Sequence, residues 1–220
     1  MPPLRDAPVR SAVPPPRPSE ARDPQTRLAG RSTASPRRHH GGMTSPAYSV
    51  HPTPIGEALI VVTDEGLVTL DILDAPVDAV LSGLSARLHA VPAEDAAATA
   101  GVAGQLDEYF AGARRDFDLE LDWQLASGFV RAALQAVCDI PYGETASYAE
   151  VAIMAGSPGA NRAVGTACAR TPMSIVVPAH RVVRSDGSIG EYGGHPERKR
   201  FLLDLEGAGA APGRKAAPGE

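Results

Sequence analysis

A break in composition near residue 46 limits how much of this chain can fold. Residues 1–46 contain eight arginines against three acidic residues, and ten of the 21 prolines. Because this stretch has no apolar clusters, burial cannot offset the entropy lost on ordering it. We therefore predict a disordered Pro/Arg-rich tail at 1–46, a disordered tail at 208–220, and a folded region between them.

The folded region divides by charge. Residues 47–126 hold 14 acidic residues and three arginines, whereas residues 127–207 hold eight acidic and eight basic residues. We predict two domains with this boundary. Between Glu150 and Asp186 there is no acidic residue, although four arginines occur there. A local basic face of this kind favours a polyanionic partner such as DNA.

Composition also argues against several classes of protein. No segment is long and apolar enough to suggest a membrane span or the core of a signal peptide. The two cysteines, Cys138 and Cys168, have neither metal-ligand spacing nor the pattern of a disulfide framework. The six histidines are scattered. We expect a cytoplasmic monomer (nucleoid-associated if bacterial) that binds no metal and no cofactor.

The first domain is predicted to be α+β. Two β-rich runs at 58–63 and 67–73 flank an Asp-Glu-Gly turn, which is typical of a hairpin. Helices are expected at 77–90 and roughly 94–111. Apolar and acidic residues alternate over 117–123, which predicts a strand with one solvated face. The acidic residues have no catalytic spacing, so we interpret this half as a supporting domain.

The second domain has the outline of a helix-turn-helix. A helix is predicted at 129–140, and Ser147 with Glu150 forms a capping box that starts a short helix. Ser157-Pro158 is expected to open the following helix, GANRAVGTACAR. Its small side chains fit either tight packing on a neighbouring helix or close approach to a nucleic-acid groove. An exposed Arg162 favours the second interpretation.

Residues 174–195 contain the most unusual pattern in the chain. The apolar run 175–177 predicts a buried strand that ends at Pro178. An Asp-Gly hairpin turn follows, and a helix is expected from Pro196 to the Glu-Gly pair at 206–207. His180 and Glu206 fit two hypotheses. They form a structural contact, or Glu206 orients His180 to deprotonate a neighbouring group.

Several of these motifs, taken in order, resemble one known family. PAHRVVRSDGSIGEYGGHPERKRFLLDLEG, IPYGETASYAEVA and NRAVGTA are similar to segments of the O6-alkylguanine-DNA alkyltransferases, the methylated-DNA–protein-cysteine methyltransferases. The likeness is close from about residue 126 to 207 and loose over the acidic half. It implies an N-terminal RNase H-like α/β domain followed by a C-terminal winged helix-turn-helix-like DNA-binding domain.

The resemblance implies a role for individual residues. Arg162 matches the arginine that replaces an extruded guanine in the duplex, and Tyr148 matches the tyrosine that helps to rotate the nucleotide. His180 and Glu206 match a water-linked relay that activates the acceptor cysteine. The implied DNA-binding residues, which lie in the minor groove, are Tyr148, Arg162, Ala163 and Gly165. The implied lesion pocket consists of Tyr148, Pro178, Ala179, Tyr192 and Gly193, and the implied partner is double-stranded DNA containing O6-alkylguanine.

One departure changes the expected chemistry. Where the family has Pro-Cys-His-Arg, this chain has Ala179, and a methyl group cannot accept an alkyl group as a thiolate does. We expect both cysteines to be small buried residues away from the pocket wall. Thr171 stands where the family usually has Asn, and Gly193 stands where some members have Ser. The first is expected to change how the hinge between the recognition helix and the active-site strand is held, and the second removes a possible hydrogen-bond donor to the base.

Three functional hypotheses remain open from the sequence. The first is a lesion sensor like the alkyltransferase-like proteins, which lack the cysteine and pass lesions to nucleotide excision repair proteins. The second is a methylated-DNA–protein-cysteine methyltransferase whose acceptor cysteine was lost or mutated. The third is a helix-turn-helix regulator that recognises no lesion.

Overall fold

The computed structural model describes residues 45–207, so the predicted tails lie almost wholly outside the described residues. The fold is α+β, as predicted, with a mixed sheet and two helices followed by a helical half. Within the described residues no helix has the length and apolar character needed to cross a membrane.

A four-stranded sheet forms the first half. Its strands are β1 (Ala47–Thr53), β2 (Gly56–Thr63), β3 (Gly66–Ile72) and the short β4 (Ala93–Glu94). The order is β3-β2-β1-β4; β1, β2 and β3 are antiparallel neighbours, and β4 pairs parallel to β1. The predicted hairpin is therefore β2–β3. The sequence prediction missed β1, whose pattern includes Pro52 near its end.

Helices cover both faces of this sheet. Leu59, Val61 and Val68 alternate onto one face and pack with Leu84 of α1 (Val77–Leu88). The opposite face packs against α2 (Ala96–Phe110), which begins where Asp95 accepts hydrogen bonds from the Ala97 and Ala98 amides. Successive side chains along a strand point to opposite faces of the sheet, so the apolar residues of β2 and β3 fill a buried cluster on each face.

The strand predicted at 117–123 is wrong. Only a single bridge, between Leu67 and Leu121, joins this segment to β3, and residues Trp123–Leu125 form a 3-10 turn. The Asp122 carboxylate accepts from the Gln124 amide and the Thr63 hydroxyl. These side-chain bonds bend the chain after one bridge, so the alternating pattern cannot extend into a ladder.

The second half contains the remaining helices. They are α3 (Gly128–Cys138), α4 (Tyr148–Met154), α5 (Asn161–Ala169) and α6 (Pro196–Leu205), and β5 (Ala146–Ser147) pairs parallel with β6 (Val182–Val183). The capping box of Ser147 and Glu150 is present as predicted. So is the predicted start of α6, with proline in its first turn.

Two local predictions in this half are wrong. Helix α5 begins after Ala160 and not at Ser157, because Gly159 adopts φ +88° and holds the preceding residues in a turn. The run 175–177 forms a turn and not a strand, because Ile175 lies at φ +72°. That region of φ is unfavourable for a β-branched residue, so the surrounding packing must impose it.

Buried residues from both halves meet in one continuous cluster. It includes Leu70 of β3, Leu106 of α2, Leu134 of α3, Val164 of α5 and Leu202 of α6. Burying each such leucine contributes about 1.5–3 kcal/mol, so the two halves stabilise each other. This shared core fixes the position of the last helix against the segment that contains residues 178–182.

Candidate functional site

A short 3-10 helix, Ala179–Arg181, forms the centre of the site. Pro178 cannot donate a backbone hydrogen bond, and the Ala179 amide instead reaches back to the Val177 carbonyl at 2.8 Å. All three side chains of the 3-10 helix are buried, with His180 fully inaccessible and Ala179 3 % exposed. The tight turn therefore directs three successive side chains into the protein.

A buried carboxylate lies behind this turn. Glu206, at the C-terminal end of α6, accepts hydrogen bonds on Oε1 from the Tyr109 hydroxyl at 2.7 Å, from His180 Nε2 at 2.9 Å and from Arg181 Nη2 at 2.9 Å. Its Oε2 accepts from Arg181 Nε at 2.9 Å and from the Gly143 amide at 3.3 Å. Five donor atoms from four residues in three segments of the chain thus converge on one side chain.

The electrostatics of this cluster fix its protonation. Burial alone would raise the pKa of Glu206, but hydrogen bonds from His180, Arg181 and Tyr109 hold that pKa well below its usual range. Burial lowers the pKa of His180, against the opposing effect of Glu206. Glu206 is therefore ionised and His180 neutral, so the imidazole donates Nε2–H to the carboxylate. The buried Nδ1 of His180 is then a bare acceptor, and it has no partner within residues 45–207.

A cavity of about 340 Å³ opens on the other side of Ala179, and we call it the Ala179 cavity. Six residues predicted for the site line it: Tyr148, Arg162, Gly165, Ala179, Tyr192 and Gly193. Two do not, since Pro178 is buried outside the cavity wall and Ala163 lies exposed on α5. The cavity wall also includes Asn161, Cys168, Ala169, Arg184 and Glu191, which the sequence did not indicate.

Two tyrosines shape this cavity. Tyr148, the first residue of α4, lies close enough to α5 that a side-chain carbon on Gly165 would be 3.8 Å from its ring. The Tyr148 ring therefore lies against α5 at Gly165, at a distance that is ordinary van der Waals contact. Burial raises the pKa of Tyr192, and its buried hydroxyl meets no described partner within hydrogen-bonding geometry, although Ser174 lies near enough to affect its pKa. The Tyr192 hydroxyl is therefore neutral and buried behind the cavity wall.

The cysteines differ from their predicted placement. Cys168 lines the Ala179 cavity, so the expectation that it lies away from the pocket wall is wrong. Cys138 is exposed on α3 and is not a buried residue. Burial raises the pKa of Cys168 to about 11, with Lys199 acting in the opposite direction. The Cys168 thiol is consequently neutral near pH 7 and a poor nucleophile.

A buried lysine, Lys199, and the segment that follows α5 at Thr171 lie near the Ala179 cavity. Lys199 is fully buried and donates to the Val182 carbonyl at 2.5 Å; burial lowers its pKa to about 8. At the link after α5, Thr171 accepts a long hydrogen bond of 3.5 Å from the Met173 amide. Gly193, at φ +59°, leaves the cavity rim without a side chain.

A second cavity, of about 680 Å³, lies between the sheet and α5. It shares Cys168, Tyr192 and Gly193 with the Ala179 cavity, and its wall contains the Asp74–Arg198 ion pair at 2.6 Å. Among residues 45–207 no group of three His, Cys, Asp or Glu side chains is arranged to hold a metal ion.

Three members of the carboxylate cluster escaped sequence reasoning. The sequence assigned no role at the site to Tyr109, Gly143 or Arg181. Arg181 alone offered a local signal, its place directly after His180. Tyr109 is 97 residues from Glu206, and no periodicity links two such distant positions.

Comparison with known proteins gives a consistent result across the chain. The DNA binding domain of 6-O-methylguanine DNA methyltransferase matches residues 128–208, and the ribonuclease-like domain of 6-O-methylguanine DNA methyltransferase matches residues 47–123. A methylated-DNA–protein-cysteine methyltransferase of Mycolicibacterium paratuberculosis is 41 % identical over 159 residues, which is 72 % of this chain and 91 % of that protein. One from Mycobacterium tuberculosis is 47 % identical over 120 residues, which is 54 % of this chain and 71 % of that protein.

Solved structures agree with these matches. The O6-methylguanine methyltransferase of Mycobacterium tuberculosis superposes with a TM-score of 0.63 at 38 % identity, over 76 % of this chain and 95 % of that one. A structure of the Mycobacterium tuberculosis protein in complex with DNA gives the same TM-score and identity, over 74 % of this chain and 94 % of that one.

Proposed function

Because the chain belongs to the 6-O-methylguanine DNA methyltransferase family, we propose that it is a lesion sensor that binds O6-alkylguanine in DNA without accepting the alkyl group. The family assignment makes the chain a DNA-binding DNA-repair protein. The proposal adds three finer features: binding in the minor groove, extrusion of the damaged base, and no transfer to residue 179.

One observation carries the proposal: the residues matched to the family's recognition functions surround a single cavity with an alanine in its wall. Tyr148, Arg162, Tyr192 and Ala179 come from α4, α5, the loop before α6 and the 3-10 helix, yet all line the Ala179 cavity. A cavity of about 340 Å³ falls within the range that holds small organic ligands. It suits a flipped base.

The surface around the cavity suits DNA. Arg162 is exposed on α5 and forms no ion pair with any residue of 45–207, so its charge is available to a duplex. The small side chains of α5 permit close approach to a groove floor. Extrusion of a base costs a few kcal/mol, and less for a poorly paired one, which favours alkylated guanine over normal guanine.

The chemistry of residue 179 supports recognition without transfer. Displacement at the alkyl carbon requires a nucleophile held at about 3–3.5 Å and in line with the breaking bond. The Ala179 methyl group has no lone pair to donate. Cys168 lines the same cavity, but its high pKa of about 11 keeps the thiol protonated at pH 7.

The test uses duplex DNA with one O6-methylguanine carrying a radiolabelled methyl group. We expect at least tenfold tighter binding than to the same unmodified duplex, which corresponds to about 1.4 kcal/mol, and no label on the protein. Label on the protein would contradict the sensor, and a Cys168→Ala variant would show whether that thiol accepted it. Equal affinity for both duplexes would instead support a helix-turn-helix regulator.

Arg162 provides a matched test of flipping. We expect Arg162→Ala to lose roughly tenfold in affinity for the lesion and less for unmodified DNA, because it removes a contact specific to the extruded state. Arg170→Ala is the control, since Arg170 is also exposed, lies at the end of α5 and carries the same charge. Equal losses in the two variants would show that only charge matters and would exclude insertion of Arg162 in place of an extruded guanine.

A second candidate is a methylated-DNA–protein-cysteine methyltransferase whose acceptor cysteine was lost or mutated. It is favoured by the names of the relatives, which are called methyltransferases. Ala179→Cys is expected to restore methyl transfer if the remaining machinery is competent. The codon for residue 179 in the genome of the source strain distinguishes the candidates, because an alanine codon there supports a natural sensor.

Transfer of the lesion to excision repair is a further part of the sensor proposal. A sensor that cannot remove the alkyl group needs a partner that excises the damaged strand. We expect nucleotide excision repair proteins to bind the complex with lesion DNA more tightly than the protein alone. A supershift in the lesion-DNA gel with purified excision proteins, absent with unmodified DNA, is the measurement.

A further inference from the structure

The N-terminal half of the chain contributes directly to the carboxylate cluster behind the Ala179 cavity. Tyr109 lies near the C-terminal end of α2 and is fully buried. Its ring packs edge-on against Tyr142 at 6.3 Å and is tilted against Phe117 at 5.3 Å. These contacts fix the ring and direct the hydroxyl toward Glu206.

The Tyr109 hydroxyl and the imidazole of His180 share one oxygen. Tyr109 donates to Glu206 Oε1 at 2.7 Å, and His180 Nε2 donates to the same atom at 2.9 Å. An oxygen that accepts several hydrogen bonds has less negative charge available for each donor. The strength of the bond between His180 and Glu206 therefore depends on whether Tyr109 is present.

We propose that Tyr109 is a positioning residue: through its hydrogen bond to Glu206 Oε1, the N-terminal half holds His180 with Nε2 as the donor and Nδ1 as a bare acceptor. The charged groups that face His180 are Glu206, Arg181 and Lys199. The two cations disfavour protonation of the imidazole, and Glu206 favours it. The hydrogen bond from Tyr109 takes up part of the negative charge of Oε1. Glu206 therefore stabilises the protonated form of His180 less than it would without Tyr109. A helical half without α2 lacks this hydrogen bond.

The consequence for the Ala179 cavity concerns the pH range below the titration of Lys199, whose pKa is about 8. A neutral His180 adds no positive charge behind Ala179 as the pH falls from 7 to 6. This statement rests on the proposed function, since it concerns lesion binding, whereas the state of His180 can be measured without DNA.

The experiment is a titration of His180 by NMR on the full chain with labelled histidine, with the signal assigned by a His180→Gln variant. In the native protein we expect the neutral form with the proton on Nε2 down to pH 6. Tyr109→Phe keeps the packed ring and removes the hydroxyl; it is expected to raise the His180 pKa by about half to one unit. Fluorotyrosine at position 109, a stronger donor, is expected to lower it.

Tyr142→Phe is the matched control. The Tyr142 hydroxyl donates to the Leu205 carbonyl at 3.2 Å and not to the carboxylate, although the ring also packs beside Arg181. We expect it to leave the His180 titration unchanged. An unchanged titration in Tyr109→Phe, or equal shifts in both variants, would overturn the proposal, because a purely structural hydroxyl does not act selectively on His180.

Lesion binding supplies the second readout. With O6-methylguanine duplex as the probe, we expect native affinity to be constant from pH 6 to 7, below the pKa of about 8 of Lys199, after subtraction of the slope for unmodified DNA. In the Tyr109→Phe variant, lesion affinity should differ from the native affinity at the low end of that pH range. If the native protein shows no lesion preference, the proposed function fails while the NMR result still decides the role of Tyr109.

Discussion

Replacing Glu206 by glutamine tests the central claim that one buried carboxylate holds the two halves together. The carboxylate has five donors, and three of them share Oε1. A glutamine amide retains one acceptor oxygen and places a donor NH₂ against at least two of these donors. Arg181, only 6 % exposed, would also lose its counter-charge. Removing one partner of a buried ion pair costs about 3–5 kcal/mol.

That magnitude is large beside the total stability of a domain, which is about 5–15 kcal/mol. The assay is urea unfolding followed by the fluorescence of the single tryptophan, Trp123, and by circular dichroism. Glu197→Gln is the control, because the Glu197 carboxylate is exposed and bonds His195 at 2.8 Å at the surface; the change should alter the unfolding free energy by less than about 1 kcal/mol. A loss below about 1 kcal/mol in Glu206→Gln would refute the argument.

The same carboxylate predicts a direction with pH. Its pKa is depressed in the folded protein relative to the ordinary value of 4.5, so its stabilising contribution is fully present above that value. The contribution is lost as the pH falls toward the folded-state pKa. The unfolding free energy of the native protein should therefore fall below about pH 4.5 more steeply than that of Glu206→Gln. Parallel pH curves for the two proteins would contradict the assignment of the charge to Glu206.

Three further predictions follow from local geometry. Lys199 has a folded-state pKa of about 8 against an ordinary 10.5. The unfolding free energy should therefore rise by about 1–2 kcal/mol between about pH 8 and 9.5, relative to that of Lys199→Met. Equal pH slopes of the unfolding free energy in the two proteins would exclude a buried ammonium. Gly143→Ala should lower the unfolding free energy by about 1–2 kcal/mol, because φ is +78° and the new carbon would lie 3.0 Å from the Glu206 carbonyl oxygen. Gly101→Ala is the control; it lies in open space on α2 and should raise the unfolding free energy by about 0.5–1 kcal/mol. Ser147→Ala removes the N-cap of α4 and should lower the midpoint of urea unfolding by the equivalent of about 1 kcal/mol; no change would mean that water replaces the cap.

Prediction from sequence succeeded where the signal is local. The capping box at Ser147 and the proline start of α6 depend on atoms within a few residues, and both are present. It failed at Ser157-Pro158, an equally good helix start, because Gly159 takes a left-handed conformation that only the folded chain requires. It failed also at Ile175, since packing imposes a backbone region that residue type disfavours.

The candidate site shows the same limit at longer range. Residues of one cavity come from four segments, and their assignment depended on resemblance and not on spacing. Cys168 could not be placed by its helical position, because which face of α5 points to the cavity depends on how Tyr148 packs over Gly165. Tyr109 offered no signal, since an apolar stripe accounts equally well for a tyrosine whose hydroxyl is bonded or free.

The hydrogen bonds around Glu206 separate what folding requires from what transfer requires. Glu206, Arg181 and Tyr109 are hydrogen-bonded within the core, and loss of Glu206 would leave the buried Tyr109 hydroxyl and the Arg181 side chain without this acceptor. The Ala179 side chain forms none of these bonds; it contributes only a methyl group to the cavity wall. Cysteine and alanine at residue 179 are therefore nearly equivalent for stability and wholly different as alkyl acceptors. An intact contact between His180 and Glu206 is maintained by folding in either case, so it is not evidence that the chain transfers alkyl groups.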